Sequence, residues 1–94
     1  MTVAVIQDFD GATLEQYDRI IDKMGLTPSG KHSNSACLFH WVAKTDDGIK
    51  VVDVWTSREE FDTFLAEQVV PASLEVEFPN PPRNTFHEVH TFLK

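Results

Sequence analysis

The sequence predicts an α+β domain: one four-stranded antiparallel sheet with two main helices on one face, in the order βαββαβ. Three observations carry this. Four short segments are rich in β-branched or alternating apolar residues, and two longer ones keep apolar residues at helical spacing behind a Thr or Ser cap. Between two of the strand segments stands Thr45-Asp46-Asp47-Gly48, a strong hairpin turn.

Residues 3–9 form strand one, and Asp10-Gly11 turns it. Thr13 caps the first helix, with Gln16 in the reciprocal position of a capping box. Leu14, Tyr17, Ile20, Ile21 and Met24 are its apolar stripe, and Gly25 ends it in the left-handed conformation. Residues 26–35 are a loop by composition, and residues 36–44 and 49–56 are strands two and three. Ser57 caps the second helix and Glu60 can reach back to it, while Phe61, Phe64, Leu65 and Val69 form the buried stripe. Pro71 lacks a backbone donor and must end or kink that helix, so residues 71–76 are expected as a further short one. Residues 78–84, with Pro79, Pro81 and Pro82, are a rigid connector, and residues 85–93 are strand four. This order is the ferredoxin-like arrangement.

Ninety-four residues make one domain, 1–94, and at this size the buried fraction leaves a marginal monomer for which oligomerisation is a remedy. Eight basic against fifteen acidic residues give a net charge of −7, which repels nucleic-acid phosphates and anionic membrane surfaces alike. Cys37 is the single cysteine, so an intramolecular disulfide and a Cys-based zinc site are excluded; in its apolar run it reads as a small core residue. Residues 1–8 have no basic n-region, and no segment nears the ~18 apolar residues of a membrane span. A soluble, cytoplasmic protein is the expectation.

Alternation divides the strand residues between two faces. Ala4, Ile6, Cys37, Phe39, Trp41, Ala43, Val52, Val54, Val89 and Leu93 make an almost wholly apolar set, and the helices are expected there, with Phe39 and Trp41 in the core. The other set holds Val3, Val5, Phe9, Leu38, Val42, Val51, Trp55, Phe86 and Phe92, with Gln7, His40, Asp53, Glu88 and His90 among them. Exposed, that face would exceed the few hundred Å² a soluble monomer tolerates, so a second copy is expected to cover it. Two sheets face to face would make a barrel with helices outside. If the hairpin closes with Lys44 opposite Ile49, His40 lies across from Asp53, and Glu88 and His90 project together from strand four. Polar groups converging within an apolar wall are what a small-molecule pocket requires.

On this element order, and on Trp55-Thr56-Ser57-Arg58-Glu59-Glu60-Phe61 above all, the chain resembles the dimeric α/β-barrel superfamily, which includes the antibiotic-biosynthesis-monooxygenase-like proteins. The resemblance implies a homodimer whose barrel interior or adjoining cleft holds a small, often aromatic or polyketide-like ligand. Some members oxidise it with O₂ and no metal or flavin; others isomerise it, degrade haem, or have no known activity. The haem-degrading branch resembles this chain at Trp55 but needs an Asn on strand one, where Gln7 stands, and a His along helix two, where residues 57–84 have none. Haem degradation is therefore not expected.

The residues expected to carry catalysis are His40 as general base, Asp53 as its orienter and His90 as a second polar contact. Gln7, Trp55, Glu88, Phe86 and Phe92 are expected to bind the ligand, with Trp55 as a pocket wall. The competing reading of His40 and Asp53 is a structural pair that pins the hairpin or crosses the dimer interface. His40, Asp53, His90 and Glu88 could suit a metal, but no compact ligand motif is present, and no metal or cofactor is expected. The functional expectation is a homodimer, joined through the helix-free sheet face, that binds a small apolar or aromatic ligand as a cofactor-independent monooxygenase or isomerase. The alternative is a non-catalytic ligand-binding or interaction module.

Overall fold

In the computed structural model, which describes residues 1–26, 34–91 and 93, the helices begin where the sequence places their caps. The strands and helices are β1 (Val3–Asp10), α1 (Leu14–Lys23), β2 (Cys37–Lys44), β3 (Gly48–Trp55), α2 (Arg58–Phe64), a π turn (Leu65–Val69), α3 (Val70–Val76) and β4 (Arg83–Glu88). Thr13 Oγ1 accepts from the Gln16 amide at 3.1 Å while Gln16 Oε1 accepts from the Thr13 amide at 2.9 Å, closing the capping box. Gly25, at φ 74°, ends α1: its amide donates to Asp22 O and the Leu26 amide to Ile21 O, the paired bonds of a left-handed C-terminal cap. Ser57 Oγ accepts from the Glu60 amide at 3.2 Å to open α2.

The sheet order is β2-β3-β1-β4, every neighbour antiparallel. Lys44 faces Ile49 and His40 faces Asp53, as the turn predicts. Thr45 Oγ1 accepts from the Gly48 amide at 3.1 Å, and a Cβ on Gly48 would stand 2.0 Å from the Phe9 carbonyl oxygen, so no side chain fits there. At the other end of β2 one extra residue is inserted between Cys37 and Phe39. This bulge sets Cys37 opposite Trp55 and returns it to the helix side of the sheet.

The helices cover the face opposite to the one expected. Val3, Val5, Gln7 and Phe9 of β1 are buried beneath them with Val51, Asp53 and Trp55, whereas Phe39 and Trp41 remain 44% and 42% exposed and are not core. Counting apolar residues cannot choose between two faces that are both apolar. The partners supplied by the helices decide it: Phe61 and Phe64 pack on Trp55, and Tyr17 reaches His40. Cys37, assigned by parity to the Phe39 side, crosses over because of the bulge.

β4 stops at Glu88, short of residue 93, because its partner β1 begins at Val3, opposite Glu88; one further bond, Val89 amide to Thr2 O at 3.0 Å, exhausts the pairing. Pro71 acts on the preceding turn. Without its N–H the carbonyl four residues earlier loses its α-helical donor, and the Val70 amide instead bonds Leu65 O, five residues back. α3 then starts with Pro71 in its first turn and packs Ala72 and Val76 on Ile20. Asn80 Nδ2 donates to Asp10 O at 2.8 Å and Arg83 grips the Asp10 carboxylate with two nitrogens, tying the proline-rich connector to the end of β1. Among the described residues no helix is long and apolar enough to cross a membrane.

Candidate functional site

Asp53 organises the helix-covered face. It is 5% exposed, and a carboxylate so placed is costly unless its oxygens are hydrogen-bonded. Both are. Oδ1 accepts from His40 Nδ1 directly across the hairpin, and Oδ2 accepts from Trp55 Nε1 at 3.1 Å. Trp55, two residues on, shares the face of Asp53 and is fully buried, its ring fixed by Phe61 at 5.8 Å and Phe64 at 5.1 Å between centroids. With Nδ1–H donated to Asp53, Nε2 is the ring nitrogen left to accept, and the Tyr17 hydroxyl donates to it at 2.5 Å. The Tyr17 ring stacks on the imidazole with an interplanar angle of 15°. A hydrogen-bonded chain, Tyr17–His40–Asp53–Trp55, thus runs from α1 across the sheet into the aromatic core.

Burial, and then the charges of Asp53 and Asp18, push the Tyr17 phenol above its ordinary 10.0, so it stays protonated as a donor. Burial, followed by the Asp53 charge, pushes the Cys37 thiol up to about 12, which leaves a neutral, unreactive sulfur near neutrality.

Tyr17, His40 and Asp53 border a chamber of about 50 Å³ between sheet and helices, lined also by Phe64, Val69 and Phe78. Gln7 also lines it. This side chain is 5% exposed and its Nε2 has no hydrogen-bond partner, a donor held inside an apolar wall.

The expected site is therefore assembled in part. Gln7, His40 and Asp53 come together. Trp55 is not a pocket wall; it is core, and what it gives the site is the N–H that holds Asp53. Phe86 packs against Phe61 at 5.9 Å and under the Arg58 guanidinium at 3.7 Å, and does not line the chamber. Glu88, the last residue of β4, faces Val3 at the sheet's end and is exposed, and His90 is exposed past the strand's end, so neither lines the chamber with His40. Phe92 lies outside the described residues. Among the described residues no three His, Cys, Asp or Glu gather as metal ligands. Tyr17 is the residue that sequence reasoning missed. Its signal was a hydroxyl tip in an otherwise apolar helical stripe, which needs a polar partner wherever the stripe is buried.

No family model matches the chain, and no curated protein matches it in sequence. Among solved structures it is similar to a candidate antibiotic biosynthesis monooxygenase from Deinococcus radiodurans, with a TM-score of 0.64 and 15% identity over 100% of this chain and 97% of that one. It is also similar to a point mutant of SnoaB, a cofactor-independent oxygenase from Streptomyces nogalater, with a TM-score of 0.59 and 15% identity over 98% of this chain and 94% of that one. At that identity the likeness is one of architecture, and the chain has the ferredoxin-like fold of the antibiotic-biosynthesis-monooxygenase-like proteins.

Proposed function

We propose that the chain is a homodimeric, cofactor-independent oxygenase acting on a small phenolic or enolic ligand in the chamber beside Tyr17 and His40. The observation that carries this is the Tyr17–His40–Asp53–Trp55 chain ending at a cavity where the Gln7 amide has a donor to spare. His40 Nε2 is already engaged by the Tyr17 hydroxyl, so the base acts through Tyr17. As the substrate gives up its acidic proton to the Tyr17 oxygen, the Tyr17 proton passes to His40 Nε2, and the imidazolium is held by Asp53. The substrate anion is itself the reductant. It gives one electron to O₂, and the carbon radical and superoxide combine into a C–OO⁻ peroxide. The proton held at His40 returns through Tyr17 to make C–OOH, and loss of water leaves a carbonyl, so that CH₂ and O₂ become C=O and H₂O.

The dimer is proposed from the helix-free face, where Phe39, Val54 and Ala4 form one cross-sheet row and Trp41, Val52 and Ile6 the next. A second copy would bury the exposed Phe39 and Trp41 rings.

The test is incubation of wild type and His40→Ala with naphthols and 1,4-quinols under ¹⁸O₂. One labelled oxygen in the product, lost in the variant, is the expected result. Absence of any oxygenated product, with a thermal shift on ligand addition, would support the second reading, ligand binding without catalysis, which is favoured by both ring nitrogens of His40 being engaged already.

A further inference from the structure

The chamber beside Tyr17 holds only a few water molecules at about 50 Å³, well under the several hundred Å³ of an ordinary small-molecule site. A second space of about 620 Å³ lies outside it, between α3 and the proline-rich connector. The two share four lining residues, Gln7, Phe9, Val69 and Phe78. Gln7 and Phe9 are neighbours on one face of β1 and form a common floor. Val69 closes the π turn and Phe78 follows the left-handed Glu77, so the partition comes from the two irregular points of the helical segment. Gln7 Nε2, buried and unpartnered, lies at the junction.

We infer that Val69 is the length-selecting gate of the ligand site: with Phe78 it sets whether an uncharged ligand whose head lies at Gln7 can extend into the outer groove. This rests on reading the inner chamber as a ligand site. The magnitudes require the extension, since the chamber alone is too small for a two-ring head, and the groove alone does not reach Tyr17 or His40. The ligand is uncharged because, among the described residues, neither space is lined by Lys or Arg, while Asp53 and Glu77 line one each. Its head presents an acceptor oxygen to Gln7 Nε2. The apolar groove wall, Leu74 at 75% exposed and Val70 at 46%, takes the remainder.

The experiment is calorimetric titration of phenol and 4-phenylphenol into wild type, Val69→Ala, Val69→Phe and Leu74→Ser. Opening the gate in Val69→Ala is expected to tighten the phenyl-extended probe by about fivefold and to move phenol by less than about twofold. Val69→Phe is expected to weaken the extended probe by about tenfold and phenol far less. Leu74→Ser, on an exposed position that leaves folding intact, is expected to weaken the extended probe alone by about threefold. Equal changes for both probes in all three variants would overturn the gate while leaving the inner chamber as a ligand site. Failure of wild type to bind either probe would overturn both.

Discussion

On one side of the sheet, His40, Asp53, Val5 and Phe86 form a cross-strand row beneath the helices. One residue along, Phe39, Val54, Ala4 and His87 form the next row, pointing the other way, where no helix lies among the described residues. The covered row contains a carboxylate and an imidazole, and the open row is largely aromatic and aliphatic. Apolar content therefore does not say which face a helix will cover. A face can be buried with charges in it when the covering element brings their partners, as Tyr17 does. A face can be richly apolar and still carry no helix among the described residues.

The largest effect should come from breaking the covered face at its centre. Asp53→Ala leaves the Trp55 N–H buried without a partner and frees His40, and should cost about 3 kcal/mol in urea denaturation. A loss under about 1 kcal/mol would show the row to be far wetter than the structure has it. Next is the open face. Trp41→Glu should leave the folded protomer intact yet turn a dimer into a monomer by light scattering, since its ring is 42% exposed within one copy. If the variant unfolds instead, the ring is core and the contrast between faces fails. Tyr17→Phe removes only the hydroxyl. It should lower oxygenation by about a hundredfold while costing about 1 kcal/mol of stability.

The smallest effect is on alkaline stability. The Cys37 thiol ionises near 9.0 in the unfolded chain but only near 12 in the fold, so above pH 9 the unfolded state binds fewer protons. Stability contributed by the neutral thiol is complete below pH 9 and disappears as pH rises toward 12. Urea midpoints should fall across that window, and Cys37→Ala should flatten the decline.

Much of this fold is written in local chemistry. The Thr13–Gln16 box, the Ser57 cap, the left-handed Gly25 and the Thr45–Gly48 turn are each set by residues within four positions of one another. The turn carries further, because it sets the register that brings His40 to Asp53. What is not local was not legible. The choice of covered face depends on where a helix lands after crossing the sheet, and the Tyr17–His40 bond joins residues twenty-three apart through that crossing. The bulge at Leu38 flips Cys37 without a glycine or proline to announce it. Glu88 and His90 do not reach the site because strand length depends on the partner: Glu88 takes the last pairing position, opposite Val3, and His90 lies past it.

The five residues from Leu65 to Val69 contain one more than an α-helical turn would use. In a regular helix each residue advances the azimuth by about 100°, so deleting one would rotate everything downstream by that angle. Ala72 and Val76 would swing off Ile20, and the backbone entering the connector would leave on a different heading. The surplus residue is a phase correction, and a shortened homologue that lacked it would have to rebuild the seam between α1 and α3 from other side chains.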